Sequence, residues 1–563
     1  MDLETCLELS RKNLRQLRSD FANAQAVNDE LLLGLLRDNE GTEFGRKLGF
    51  DAISSVAEFK RAVPLSTYGD YEPYVQRMLA GESDLITTYP IAHYARTSGS
   101  VGVPKSIPVS ERGFNSLMSF DMPISLAVFD EWAREHGSAL DTDGDWTSLV
   151  LARLDQLECG VSAGSLSSGM YTHMANGNFF DWGIPAFCVQ AGDERANWIF
   201  LKALFSLKNR NITCIDGIFS TAVYDFFFYI RRHTEPLLEA IRTGVVPDEV
   251  EMTEGVRRLV EERLAPDPER ADELAAVFEE GFGTPVAQRI WPRLQFVICI
   301  CTAAFASYAE KLKDYIGDLP VYGRAYAASE SLVGGAAKMN DDGHYLVPRA
   351  AFFEFVPADD SGLPEEELRE RTLGISELEV GQDYEVIVTN LSGFYRYRLG
   401  DVITVLGHEG QSPKIRFKYR LSQVVNMAGE KTSMACVDDA IAKLERTQAL
   451  PVPEYSVYAD YEAEPGRYVL LMEPGIPVPK CDVEPIAAFL ERCLEQNNPS
   501  YKAKVEDEVL LPLEVRIVQP DTYRLYREMQ IFKGASASQI KPVRMIDNPA
   551  KERFFLGLVE KEA

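Results

Sequence analysis

The densest group of chemically capable residues lies in Arg96-Thr97-Ser98-Gly99-Ser100-Val101-Gly102-Val103-Pro104-Lys105, where hydroxyls, two glycines and one lysine share ten positions. Glycines let backbone N–H groups approach an anion, hydroxyls donate to it, and a lysine supplies a point charge, so this set suits a triphosphate. It is not a Walker A loop, because Pro104 rather than glycine precedes Lys105 and the following Ser106-Ile-Pro-Val-Ser110 reads as a strand. A plain Gly/Ser turn between two strands is the alternative reading. Tyr326-Ala-Ala-Ser-Glu330 puts a ring, a hydroxyl and a carboxylate at the end of a strand-like run, where α/β proteins bind ligands; a surface turn is its bland counterpart. In Phe394-Tyr-Arg-Tyr-Arg-Leu-Gly-Asp401, alternation sets Tyr395, Tyr397 and Leu399 against Phe394, Arg396 and Arg398, ending in a Gly-Asp turn. Gly160-Val-Ser-Ala-Gly164 satisfies the G-x-S-x-G of a nucleophile elbow, which requires a strand, a sharp turn and a helix. The next residues, Ser165 to Gly169, are too rich in glycine and serine to predict that helix, and no further motif assigns a histidine, so the segment reads as a small-residue loop.

These groups need a scaffold. Leu3, Leu7, Leu14, Leu17 and Phe21 recur at helical spacing, and Phe59–Pro64 followed by Tyr68–Tyr74 predicts a helix running into a loop. Residues 223–280 read as mostly helical. After Trp291-Pro292 come short β-rich runs at 296–300, 321–326, 352–356, 384–389 and 402–406. Alternation of helices with such runs predicts an α/β fold of packed sheets with helices. A second texture starts near Arg420, with strands at 455–461, 467–472 and 513–518 around a helix at 485–496. The expected organisation is a large N-terminal domain, residues 1–419, and a smaller, mobile α+β C-terminal domain, residues 420–563, with the boundary between Phe417 and Ser422.

The chain has 563 residues, 86 acidic against 58 basic, a formal charge of -28. Such an excess repels polyanions, which argues against nucleic acid or an anionic membrane as partner. No apolar stretch reaches the roughly 20 residues of a membrane-spanning helix, and residues 1–20 lack the apolar region of a secretion signal. Nine cysteines, odd in number and without a C-x-x-C pair, predict reduced thiols in a cytoplasmic protein. Cys299 and Cys301 would share a strand face, but no third cysteine or histidine stands at metal-site spacing, so core packing is the expectation there. A monomer is expected.

Thr97-Ser-Gly-Ser-Val-Gly-Val-Pro-Lys105 resembles the phosphate-gripping loop of the adenylate-forming superfamily, which includes acyl-CoA synthetases, peptide-synthetase adenylation domains and luciferases. Within it, further segments resemble the acyl-acid amido synthetases of the plant auxin-responsive (Gretchen Hagen) family. They are Val63–Tyr74, Gly81-Glu82, Pro90-Ile91, Trp291-Pro292, Tyr326–Glu330, Phe352–Pro357, Phe394–Asp401 and Gly534-Ala-Ser-x-x-Gln-x-Lys541, in the family's order along nearly the whole chain.

The resemblance implies the adenylate-forming fold and a two-step ligase that uses ATP and Mg2+, activating an organic acid as its acyl-adenylate and passing the acyl group to an amino acid amine. It places the ATP phosphates on Thr97, Ser98, Gly99, Ser100, Gly102 and Lys105, and adenine against Tyr326. Ser329 would reach the α-phosphate, Glu330 would hold magnesium, and Asp401 and Arg420 would meet the ribose. Lys541 would stand near the acyl-adenylate bond. Together, Lys105, Glu330 and Lys541 are the expected catalytic residues. Many superfamily members carry aspartate two positions after the hinge arginine, where this chain has Ser422. Some relatives carry an arginine on the helix that lines the acyl pocket, whereas 113–127 contains none; Ser119, Phe120 and Met122 are the candidates there. An acyl-CoA ligase sharing the adenylation step, or a non-catalytic nucleotide-binding protein of the same fold, are the alternatives.

Overall fold

The computed structural model describes residues 3–96, 105–120, 122–176, 183–189, 196–302, 305–421, 424–425, 427, 430, 432–460, 462–532, 540–546 and 549–560. Two compact units divide the chain. Among the described residues, the larger runs to Phe417 apart from Gly400–Val402, and the smaller takes Gly400–Val402 with the chain from Lys418 onward.

The larger unit contains a four-stranded, all-parallel sheet in the order Asp145–Ser148, Ile212–Phe219, Phe296–Ile300, Val321–Tyr322. Every residue of Ile212–Phe219 is buried, as a parallel strand covered on both faces requires. The helix Ser220–Arg232 packs on that strand and against the helices Trp198–Lys208 and Ala306–Ile316. A second sheet has seven strands in the order Ala351–Pro357, Asp383–Asn390, Tyr397–Glu409, Ser412–Arg420, His344–Leu346, Leu332–Gly335, Tyr326–Ala327. A third joins Ser106–Ser110, Ile91–Arg96, Ser162–Gly164 and Leu154–Gln156. Leu7, Leu14, Leu17 and Phe21 of the first helix are buried in the same core, the stripe their spacing predicts.

Four local expectations change. Tyr68–Tyr74 is helix, not loop: Tyr68–Leu79 is continuous, with Pro73 inside it. Asp70 accepts from the Thr67 N–H at 2.8 Å, half of a capping box, and burial of Tyr71 and Val75 outweighs the proline's missing donor. Ser165–Gly169 likewise enters a helix, Leu166–Asn176, because the Ser165 hydroxyl caps it by accepting from the Ser168 N–H at 3.1 Å. The run 321–326 is two strands in different sheets, parted at Gly323-Arg324 where Arg324 has φ 55°. Phe394–Asp401 does not alternate through to a Gly-Asp turn; the turn comes earlier, with Arg396 at φ 47°, and the strand Tyr397–Glu409 continues past Gly400, whose φ of 72° marks an irregularity inside it.

The smaller unit holds a three-stranded sheet, Glu454–Asp460, Arg467–Glu473 and Leu511–Ile517. The helices Met434–Gln448 and Lys480–Asn497 back it over a core including Leu444, Leu470, Met472 and Leu490. Among the described residues no helix is long and apolar enough to cross a membrane.

Candidate active site

The hairpin at 326–335 presents the first cluster. Ala328 and Ser331 exchange backbone hydrogen bonds at 2.9 and 3.3 Å, so Ser329 and Glu330 form the two-residue tip. The strands on either side pair Ala327 with Leu332 and Tyr326 with Gly334. Glu330 is tied at both ends: its carbonyl accepts from Asn390 Nδ2 at 2.8 Å, and its Oε1 accepts from the Tyr397 hydroxyl at 3.1 Å. Tyr326 is half-buried, with its ring edge-on to Phe417 at 5.9 Å. Beside this tip lies a small cleft bordered by Gly113, Ser116, Leu117, Ser329, Glu330 and Ser392. The Ser116 hydroxyl oxygen is buried there without a hydrogen-bond partner among the described residues. The helix Glu111–Phe120 therefore offers Ser116 to this cleft, whereas Ser119 returns its hydroxyl to the Asn115 carbonyl at 2.8 Å and Phe120 is buried in the core. A small apolar gap in the smaller unit is walled mainly by Ile441, Leu470, Leu490 and similar core side chains and reads as packing.

Two buried arginines fix the approaches to the hairpin. Arg324 pairs with Asp216 of the parallel sheet at 3.3 Å and donates to the Tyr171 hydroxyl at 2.7 Å, setting the chain two residues before Tyr326. Arg396 makes a bidentate pair with Glu354, at 2.9 and 3.0 Å, and also donates to the carbonyls of Lys60, Val63 and Arg369. Ser66 N–H donates to the Arg396 carbonyl, Arg398 N–H donates to the Ser66 carbonyl, and the Tyr71 hydroxyl accepts from Tyr395 N–H at 2.7 Å while donating to the Tyr395 carbonyl. Both Arg396 and Arg398, which pairs with Glu385 at 2.6 Å, are thus structural.

Lys105 precedes the strand Ser106–Ser110, which pairs antiparallel with Ile91–Arg96. Its ammonium stands 5.2 Å from the centre of the Tyr68 ring, a cation–π distance, and Tyr68 in turn accepts from the Ser106 N–H at 3.2 Å. Thr97, Ser98, Gly99, Ser100 and Gly102 lie outside the described residues, as do Ser422 and the side chain of Met122.

In the smaller unit, Arg420 Nε donates to Asp401 Oδ1 at 2.6 Å; Asp401 is buried and Arg420 is 40% exposed. Lys541 still reaches solvent, yet surrounding protein and the Arg420 guanidinium hold its pKa below the ordinary lysine value, with Asp401 pulling the other way. Asp401, Arg420 and Lys541 thereby form a second cluster.

The serine of G-x-S-x-G lies inside the strand Ser162–Gly164, not on an elbow, although a helix does follow. The structure does bring it a histidine: His93 Nδ1 is 3.0 Å from the Ser162 hydroxyl and Nε2 is 3.2 Å from the Ser165 carbonyl. A carbonyl only accepts, so Nε2 carries the proton and Nδ1 accepts from Ser162. Burial lowers the His93 pKa and keeps the ring neutral, and a Cβ at Gly169 would sit 3.0 Å from it, so His93 is a packed strut between strands. The Cys299 and Cys301 sulfurs are 3.5 Å apart, and no group of three or more metal-ligating side chains occurs among the described residues.

The GH3 family N-terminal domain matches residues 13–321, its central domain 344–420 and its C-terminal domain 434–550. This chain belongs to the GH3 family. It is 27% identical to indole-3-acetic acid-amido synthetase GH3.8 of Oryza sativa subsp. indica, over 96% of this chain and 91% of that protein. It is 28% identical to indole-3-acetic acid-amido synthetase GH3.17 of Arabidopsis thaliana, over 95% and 93%. Identity to jasmonoyl–L-amino acid synthetase JAR4 of Nicotiana attenuata is 25%, over 93% and 91%. Among solved structures, the GH3.15 acyl acid amido synthetase in complex with 2,4-DB shares the fold, with a TM-score of 0.83, 24% identity, and coverage of 100% of this chain and 97% of that one. Sequence reading missed Tyr397, Asn390, Tyr68 and Ser116. The first lay within a quoted motif, but nothing in its spacing pointed it at Glu330.

Proposed function

We propose that this GH3 family chain is an ATP-dependent ligase that activates an organic acid as its acyl-adenylate and transfers the acyl group to an amino acid amine. The observation that carries the reading is the full-length match to amido synthetases, joined to a hairpin tip that holds a tethered carboxylate beside a polar cleft. In the first step the acid's carboxylate attacks the α-phosphorus of Mg-ATP and pyrophosphate leaves. In the second, the amine attacks the acyl carbon, AMP leaves and an amide forms. Neither step asks for a protein nucleophile; positioning and electrostatic stabilisation suffice.

In this reading Thr97, Ser98, Gly99, Ser100, Gly102 and Lys105 hold phosphates, Ser329 reaches the α-phosphate, and Tyr326 lies against adenine. Asp401 accepts from the ribose hydroxyls beside Arg420, and Lys541 stands by the acyl-adenylate bond. Glu330 would hold the magnesium that accompanies the nucleotide, an ion that needs only one or two protein carboxylates and would neutralise phosphate charge. The acid contacts the helix Glu111–Phe120, where Ser116 joins Ser119, Phe120 and Met122 as a candidate. The protein works as a cytoplasmic monomer.

Acid-dependent exchange of pyrophosphate into ATP, screened over a pool of carboxylic acids, is expected to be positive in wild type and lost in Lys105→Ala and Lys541→Ala. Undiminished exchange in both variants would reject these roles. Product analysis then reads amide with added amino acid, or thioester with coenzyme A, which would replace the amine by a thiol acceptor.

A further inference from the structure

Glu330 sits at a hairpin tip on a side chain with several freely rotating bonds, and a carboxylate so placed spends most of its time pointed elsewhere unless something holds it. Two groups from one distant segment do. Asn390 Nδ2 donates to the Glu330 carbonyl at 2.8 Å, and the Tyr397 hydroxyl donates to Oε1 at 3.1 Å. Neither donor is itself loose. The Asn390 amide is oriented by its own oxygen, which accepts from the backbone N–H groups of Ser392 and Phe394, both at 2.9 Å. Tyr397 is buried, with its ring 5.1 Å from Phe394 and 6.4 Å from Tyr71, and its backbone bridges to Ser66. Behind both stands the Arg396–Glu354 pair that fixes the turn.

We propose that Tyr397, with Asn390, is a positioning residue that aims the Glu330 carboxylate at the magnesium of Mg-ATP. A phenol suits this work because it orients the carboxylate without bringing a positive charge against the cation, as a lysine or arginine there would. The role of Phe394–Asp401 thereby extends beyond its aspartate: the first residue of the strand orients the metal ligand carried by another hairpin. This inference rests on the reading of Glu330 as the magnesium carboxylate.

The test compares Tyr397→Phe with Glu330→Gln in the full chain, measuring the Mg2+ concentration for half-maximal pyrophosphate exchange, the calorimetric ATP affinity with and without Mg2+, and the melting temperature. In Tyr397→Phe the Mg2+ requirement is expected to rise about three- to tenfold, the worth of one net hydrogen bond, with little change in melting temperature or in ATP affinity without Mg2+. Glu330→Gln should shift it further. A shift in Glu330→Gln but none in Tyr397→Phe overturns the inference and leaves the Glu330 reading standing. No shift in either overturns both. A lower melting temperature in Tyr397→Phe with an unchanged Mg2+ requirement makes the hydroxyl structural and also overturns it. Should Tyr397→Phe fail to fold, Asn390→Ser is put through the same measurements, and an unchanged Mg2+ requirement there overturns the inference.

Discussion

Arg396–Glu354 and Arg420–Asp401 are the same chemical pair put to different ends. In the first both side chains are essentially inaccessible, at 0% and 1% exposure, and the guanidinium spends its donors on the glutamate, three carbonyls and the Thr372 hydroxyl. In the second the aspartate is buried but the arginine is 40% exposed, within reach of a solute. A fully sequestered pair stabilises a backbone shape, whereas a pair with one face toward solvent can exchange partners with a ligand. Short motifs that mix the two, such as Phe394–Asp401, therefore carry scaffold and site in consecutive residues.

The largest test of that contrast is Arg396→Met, which strips the buried Glu354 of its bidentate partner and leaves it only the Thr372 hydroxyl at 2.7 Å and the Lys60 ammonium at 4.0 Å. Urea unfolding should show a loss of about 3–5 kcal/mol, and a loss under about 1 kcal/mol would put the pair in the surface class. Next comes Lys202, a buried cation on the helix Trp198–Lys208 that donates to the Leu149 and Val150 carbonyls, both at 2.7 Å. Burial pushes its pKa down to about 7. Between that value and the unfolded lysine's, the unfolded chain binds the extra proton, so this group's contribution to stability improves as pH rises through that window. The stability advantage of wild type over Lys202→Met should accordingly grow from pH 7 to pH 10, by up to a few kcal/mol; a difference flat in pH would mean that burial does not disfavour the ammonium. The smallest effect on folding belongs to Asp401→Asn, about 1 kcal/mol or less, with the ATP KM nevertheless raised about ten- to hundredfold through lost charge-assisted hydrogen bonds. A large loss of stability with an unchanged KM would reverse the assignment of the two pairs.

Strand positions were readable where apolar and β-branched residues dominate: in Phe296–Ile300 the run is unbroken, as burial on both faces requires, and in Asp383–Asn390 the segment Val386-Ile-Val388 carries the signal. Helices with strong stripes, such as Leu3–Phe21, were equally legible. Reading failed at Tyr68–Tyr74 and Ser165–Gly169, where glycine, proline and serine are loop-forming by propensity and helix formation was decided by capping groups and by what the far face buries. At the hairpin the residue types of Ser329 and Glu330 announced a polar tip, but not which groups would hold it, since Asn390 and Tyr397 arrive from another part of the sheet.

What the sequence alone determined is membership and inventory: three consecutive GH3 domains, a hydroxyl- and glycine-rich loop ending in lysine, and the carboxylates and aromatics of two further motifs. Residue type and local order suffice for these. Only the tertiary structure decided that Tyr397 faces Glu330, that Arg396 is sequestered while Arg420 is not, and that His93 braces Ser162. Orientation and burial belong to atoms brought together across tens or hundreds of residues, and a hydrogen bond or a desolvated charge exists only once that packing is complete.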